Sequence, residues 1–377
     1  MRILYVFRSL AVWGGIERVL VDKMNYLVSM YGYEVYMLTT DQGTHPIPYS
    51  LEKAVHLEDL GINFHHQYRY NRFKRLLVAR RQARHFERRL SERLQTIRPD
   101  IIVCTMANSL DLNILVKLKG DIPLVVESHS VCLHTLGYNK RGLRKRWNRY
   151  QYLKALSKAV ALVALTEGDA VEWRKVHPYV VVIPNLVHLN NGAVSTLENK
   201  KVIFVGRFDY QKRPMGMIHI WEKIHLIHPD WQLDIYGEGE QQKELENQAR
   251  SSGMNIVVHP PSKKIFDCYR ESSILVSTSL FEPFGLVIPE AMSCGLPVVA
   301  YDCSYGPASI ISDGENGFLI PYGDEADFAD KLSLLMSSRE FRWKIGTEGI
   351  MASKRYEASR IMPQWVKLFE QITDNSN

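Results

Sequence analysis

Short β-branched runs recur along this chain, and they alternate with helical patterns. In the first half they are Ile3–Phe7, Glu34–Thr40, Asp100–Thr105, Pro123–Glu127, Val160–Leu165 and Val180–Asn185. Val202–Val205, Trp231–Tyr236, Asn255–Ser262, Ile274–Thr278 and Pro297–Tyr301 continue the series. Buried strands of this kind, interspersed with helical patterns, suit α/β domains. With 377 residues the chain is too long for one ordinary core and suits two such domains. The 46% hydrophobic and 23% charged content is that of an ordinary globular protein. The five cysteines are scattered, with no Cys-x-x-Cys pair, which argues for a reducing compartment and against a zinc site. The apolar start Met1–Arg8 is too short for a signal peptide and reads as a first strand. No apolar run reaches the roughly 18 residues of a membrane span, so a cytoplasmic protein is expected.

The stretch most telling of chemistry runs from Ser279 to Pro297. Gly295 has the residue type of a helix C′ position, and Pro297 keeps the helix from restarting. Pro289 fits only the first helical turn, which places the helix start near Gly285 and Leu286. Exposed amides at a glycine-preceded helix start favour an anion. A carboxylate beside that anion would repel it, so Glu282 and Glu290 are expected to face neutral hydroxyl donors, as a ribose or sugar supplies. The plainer alternative is a surface helix with two solvated glutamates. Upstream, Arg207 at a strand end and Lys212 five residues on can converge on one diphosphate. Gly14-Gly15, between the first strand and first helix, lacks the Gly-x-Gly-x-x-Gly spacing of dinucleotide sites.

Glu282-x7-Glu290 followed by Ala-Met-x-Cys-Gly-Leu-Pro resembles the donor-site motif of the retaining nucleotide-sugar glycosyltransferases of family 4, the glycosyl transferases group 1. The resemblance implies a GT-B architecture: two Rossmann-like α/β domains facing each other across a cleft. It implies an acceptor-binding domain at 1–187 and a donor-binding domain at 188–355, with the C-terminal helix 356–377 crossing back to the first. By the same resemblance Glu282 contacts the donor sugar and Glu290 the ribose, while Arg207 and Lys212 grip the diphosphate. Glu282, His129, Arg207 and Lys212 form the implied catalytic set. Gly15, Gly237, Phe284, Gly285 and Leu286 join the implied donor site. His129 ends the strand Pro123–Glu127, where open α/β sheets place ligands. Two departures stand out: Leu186 replaces the glycine of a Pro-Asn-Gly interdomain link, and Ser309 stands where many UDP-sugar members carry Glu.

No Asp-x-Asp sits in a strand-end loop, so neither a metal nor another cofactor is expected, only a nucleotide diphosphate sugar as donor. The resulting expectation is a retaining, metal-independent transfer of a hexose or N-acetylhexosamine to a glycan or lipid-linked acceptor, in polysaccharide biosynthesis. UDP, GDP and ADP stay open, with UDP favoured. The rivals are an epimerase or phosphorylase of the same architecture, and a non-catalytic nucleotide-sugar binder. From Tyr68 to Arg98 the pattern is helical, with Phe73, Leu77, Phe86, Leu90, Leu94 and Ile97 read as one apolar side. Arginines and lysines crowd the rest of 69–98, and a second basic group occupies 140–150. Such a surplus suits an anionic membrane, hence a peripheral position on its inner face, or a pyrophosphate-bearing acceptor. Nucleic acid is not expected, because no recognition helix or paired-aromatic platform accompanies the charges.

Overall fold

The computed structural model describes residues 1–105, 109–137 and 142–374; Lys140 and Arg141 of the second basic group lie outside them. The chain forms two compact units, Met1–Leu186 with Ala358–Asn377, and Val187–Glu357.

The first unit holds strands β1 (Arg2–Phe7), β2 (Glu34–Thr39), β3 (His56–Asp59), β4 (Ile101–Cys104), β5 (Leu124–Glu127), β6 (Ala161–Ala164) and β7 (Val180–Val182). They make one parallel sheet in the order β3-β2-β1-β4-β5-β6-β7. Its helices are α1 (Gly15–Tyr31), α2 (Arg72–Ile97), α3 (Ser109–Leu118), α4 (Cys132–Thr135), α5 (Leu143–Leu156), α6 (Glu167–Arg174) and the C-terminal helix Ala358–Asp374. Alternation along the strands divides the core. Leu4, Val6, Ile102, Leu124 and Val126 pack with Phe86, Leu90 and Leu115 from α2 and α3. On the other side Tyr5 and Glu127 meet Lys23 of α1, which in turn lies under Trp365 of the C-terminal helix.

Helix α2 starts at Asn71, whose side chain accepts the Lys74 amide at 3.1 Å. The apolar side expected for it is corrected here. Phe86, Leu90, Leu94 and Ile97 are buried, but Phe73 is 89% and Leu77 65% exposed. Nine residues separate Leu77 from Phe86, and at about 100° per residue that puts them on opposite faces. The basic surplus is also partly answered: Arg89 and Arg93 both reach Glu58, on the edge strand β3.

The second unit is a parallel sheet of β8 (Lys201–Val205), β9 (Gln232–Tyr236), β10 (Ile256–His259), β11 (Ile274–Ser277), β13 (Val298–Asp302) and β15 (Phe318–Pro321). A small two-stranded piece pairs β12 (Phe281–Glu282) with β14 (Ser304–Tyr305). The order β10-β9-β8-β11-β13-β15 is that of the doubly wound dinucleotide fold. Helices α7 (Pro214–Ile224), α8 (Gln242–Ser251), α9 (Ile265–Arg270), α10 (Val287–Ser293), α11 (Gly306–Ile310), α12 (Glu325–Ser337) and α13 (Arg339–Ser353) connect and cover it. Helix α10 has Pro289 as its third residue and stops at Gly295, whose φ of 83° is left-handed.

Candidate active site

In the second unit the strand order reverses between β8 and β11, and crevices at the carboxyl ends of such strands are where open α/β sheets take ligands. The loop after β8 carries Arg207 to Arg213, and the loop after β11 carries Thr278 to Leu286. Hydrogen bonds tie the two together. Leu280 donates its amide to the Gln211 carbonyl at 2.7 Å, and the Gln211 amide group donates to the Phe281 carbonyl at 3.1 Å. The Thr278 hydroxyl donates to the Arg213 carbonyl at 2.8 Å.

That stitching brings Lys212 against Glu282: the Lys212 ammonium donates to the Glu282 carboxylate, which also accepts from the Ser279 hydroxyl at 3.3 Å. The expectation that Glu282 faces only neutral groups is therefore corrected. An ammonium 15% exposed and a carboxylate 10% exposed have lost most of their water, and each supplies the other's missing counter-charge. Arg207 is 64% exposed and folds back on its own loop, donating to Asp209 and to Gln211 at 2.8 Å each. So Lys212 faces the glutamate loop directly, while Arg207 reaches it only through Gln211.

Glu290, one turn into α10, accepts from the Tyr269 hydroxyl at 3.3 Å. It is 5% exposed and Glu282 8%, which removes the alternative of solvated surface glutamates. Phe284 is 2% exposed with its ring edge-on to Tyr356 at 5.1 Å, so its side chain belongs to the core and only its backbone can face a ligand. Gly285 has φ 94°, and Leu286 caps α10. Gly237 is required by a backbone crossing: a Cβ there would lie 1.9 Å from the Gly206 carbonyl oxygen. Nearby Cys303 is buried, and that burial, reinforced by Glu282, pushes its thiol up to about 12 and keeps it in the neutral form. Ser309 closes its own turn by donating to the Gly306 carbonyl at 2.6 Å.

In the first unit, Gly15 is the first residue of α1 and His129 follows β5. His129 Nε2 sits 3.2 Å from Glu127 Oε1, close enough to share charge but off the line of a good hydrogen bond. Glu127 takes two bonds of 2.8 Å from the buried Lys23, one on each oxygen. The Lys23 nitrogen also lies 3.4 Å from the Trp365 ring centroid, a cation–π contact. Burial by itself would raise the Glu127 carboxyl, but Lys23 and His129 outweigh it and bring it down to about 2. Sequence reasoning assigned nothing to Lys23. Its signal was its place between Val19 and Leu27 at helical spacing, a lysine on the apolar face of α1.

The Glycosyltransferase Family 4 pattern matches residues 13–191, and Glycosyl transferases group 1 matches residues 192–351. An exopolysaccharide phosphotransferase of Streptomyces coelicolor is 32% identical over 220 residues, 56% of this chain but only 23% of the relative. An α-1,4-N-acetyl-D-galactosaminyltransferase of Campylobacter jejuni, whose name gives a diNAcBac-PP-undecaprenol-linked substrate, is 22% identical over 376 residues and 99% of both chains. Among solved structures, Anabaena HepE in complex with UDP and glucose superposes with a TM-score of 0.75 at 19% identity, covering 98% of this chain and 100% of that one.

Two Rossmann-like units matched in this way define a glycosyltransferase of the GT-B type. Within that class, the chain belongs to the group 1 enzymes of family 4 type.

Proposed function

We propose that this chain transfers a hexose or N-acetylhexosamine from a UDP-linked donor to a glycan or lipid-linked acceptor, with retention and without a metal ion. The observation that carries the reading is the meeting of Lys212 and Glu282 at the strand-order reversal of the second unit. The names of the relatives supply the rest: UDP and glucose in the Anabaena protein, a polyprenyl-diphosphate-linked sugar for the Campylobacter one.

In the proposed mechanism the arriving diphosphate takes Lys212 from Glu282, and Arg207 turns from Asp209 to join it. Glu282, freed of its cation, accepts hydroxyls of the donor sugar, and Glu290 accepts those of the ribose. As the sugar C1–O bond breaks, charge gathers on the leaving phosphate, and the two cations with the Gly285–Leu286 amides stabilise it. The acceptor oxygen attacks C1 on the same face, and its proton passes to the leaving phosphate oxygen. His129 is assigned to the donor sugar by resemblance, and the first unit to the acceptor.

A thermal-shift series with UDP, GDP and ADP, followed by donor turnover, tests this. UDP is expected to raise the melting temperature of the native chain more than GDP or ADP, and Lys212→Ala to remove the shift. Equal indifference to all three nucleotides would refute the site. An isomerised donor, or phosphate-dependent release of sugar phosphate, would replace transfer by the epimerase or phosphorylase reading.

A further inference from the structure

The first turns of α2 are out of keeping with the rest of the first unit. The helix runs 26 residues, yet the first of its residues to pack against the core is Ala83 and the first fully buried one Phe86, so about 16 Å of it carries none of the core. Along that length Phe73, Leu76 and Leu77 stand 89%, 55% and 65% exposed. Their spacing of three and four residues gathers them into one stripe. Cations accompany the stripe: Arg72 and Lys74 flank it in the first turn with Arg75 on the far face, and Arg80 and Arg81 follow two turns on. No acidic residue occurs from Leu60 to Phe86, and among the described residues no ion pair engages these five. Two aromatic rings lie beneath them, Tyr70 at 4.6 Å from the Lys74 nitrogen and Tyr68 at 4.1 Å from the Arg75 guanidinium.

Helix α5 repeats the pattern. It contains no acidic residue, and it opens with Leu143 84% and Trp147 61% exposed among Arg144, Lys145 and Arg146. Both helices lead into strands of one parallel sheet, α2 into β4 and α5 into β6. Each therefore begins at the carboxyl edge of that sheet, the edge at which β5 ends just before His129.

We propose that these two helix starts form a docking surface for an anionic phospholipid bilayer, with Phe73, Leu76 and Leu77 inserted among the acyl chains and the flanking cations on the headgroups. An apolar stripe edged by arginine and lysine, with aromatic rings at the boundary, matches the depth profile of a lipid interface. A polyanion such as nucleic acid would engage the cations and leave the stripe in water. The surface is independent of the donor-site reading, since vesicle binding requires no nucleotide.

The test is flotation of the intact chain with vesicles of phosphatidylcholine alone and with about one third phosphatidylglycerol added. Binding to the anionic vesicles only is expected. The combined variant Phe73→Ser, Leu76→Ser, Leu77→Ser should lower the partition at least about tenfold, with its melting temperature kept. Arg80→Glu with Arg81→Glu should weaken it too, and added salt should weaken the wild type. Duplex DNA serves as the competing arm. Absence of vesicle binding, or a serine variant that binds vesicles like the wild type, would overturn the proposal. So would retention on DNA in place of vesicles.

Discussion

Each unit holds a lysine–glutamate pair at the carboxyl edge of its sheet, and the two pairs differ in what surrounds them. Lys23 and Glu127 are sealed, each side chain 1% exposed, with Trp365 over the ammonium and His129 beside the carboxylate. Lys212 and Glu282 keep 15% and 10% exposure, on loops whose neighbouring Arg207 is mostly in solvent. A sealed pair can be broken only at the cost of leaving a naked charge in a dry interior. A half-open pair can be exchanged, because an incoming anion can replace the carboxylate on the lysine. The same two residue types thus form a sealed structural joint in one unit and, in the proposed function, an exchangeable ligand contact in the other.

The largest effect expected from breaking this contrast is at Lys23. Lys23→Ala should destabilise the chain by about 3–5 kcal/mol, since Glu127 is left uncompensated. Replacing both partners, Lys23→Met with Glu127→Leu, should recover much of the loss in denaturant unfolding. If the double variant were no better than the single one, the sealed-joint account would fail. Next comes Lys212→Ala, expected to lower donor turnover by about tenfold or more, near 1.4 kcal/mol in the barrier, with a loss of stability smaller than that at Lys23 because Glu282 keeps some access to water. A variant that lost stability and kept turnover would reverse the roles of the two pairs.

Acid sharpens the comparison further. The Glu127 carboxyl falls from an ordinary 4.5 to about 2 in the folded chain, so the fold favours its ionised form. Its contribution is complete above pH 4.5 and is lost as the pH drops toward 2. The stability gap between wild type and Glu127→Gln should close over that window. Asp111 and Asp169 run the other way: burial raises both to about 6, so their contribution is present at low pH and fades as pH rises through 6. The smallest stability effect is expected from Arg207→Ala, within about 0.5 kcal/mol because the side chain is solvent-exposed. Its loss should appear in UDP affinity.

The strands were legible because most of their residues are apolar, and α10 because Pro289, Gly295 and Pro297 bracket it. Strand β3 was not, since His56-Leu57-Glu58-Asp59 has a single apolar residue and lies at a sheet edge. Phe73 and Leu77 misled because a helix that emerges from the core can carry a second apolar face with a different partner. The neighbourhood of Lys212 and Glu282, 70 positions apart, depends on β8 and β11 lying side by side. Hydrophobic periodicity carries no record of strand order, so only the resemblance linked them. Lys23 was missed for a related reason: a charged residue on an apolar face is interpretable only once its partner from another strand is known.

The placement of Trp365 over Lys23 has a consequence for biosynthesis. Residues 187–357 are contiguous and can complete their sheet while the chain is still being made. The first unit lacks Ala358–Asp374 until residues 187–357 have been made, and until then Lys23 has no aromatic roof. The first unit is therefore closed only after the whole of the second has been translated, and a fragment ending at Leu186 would lack its closing helix.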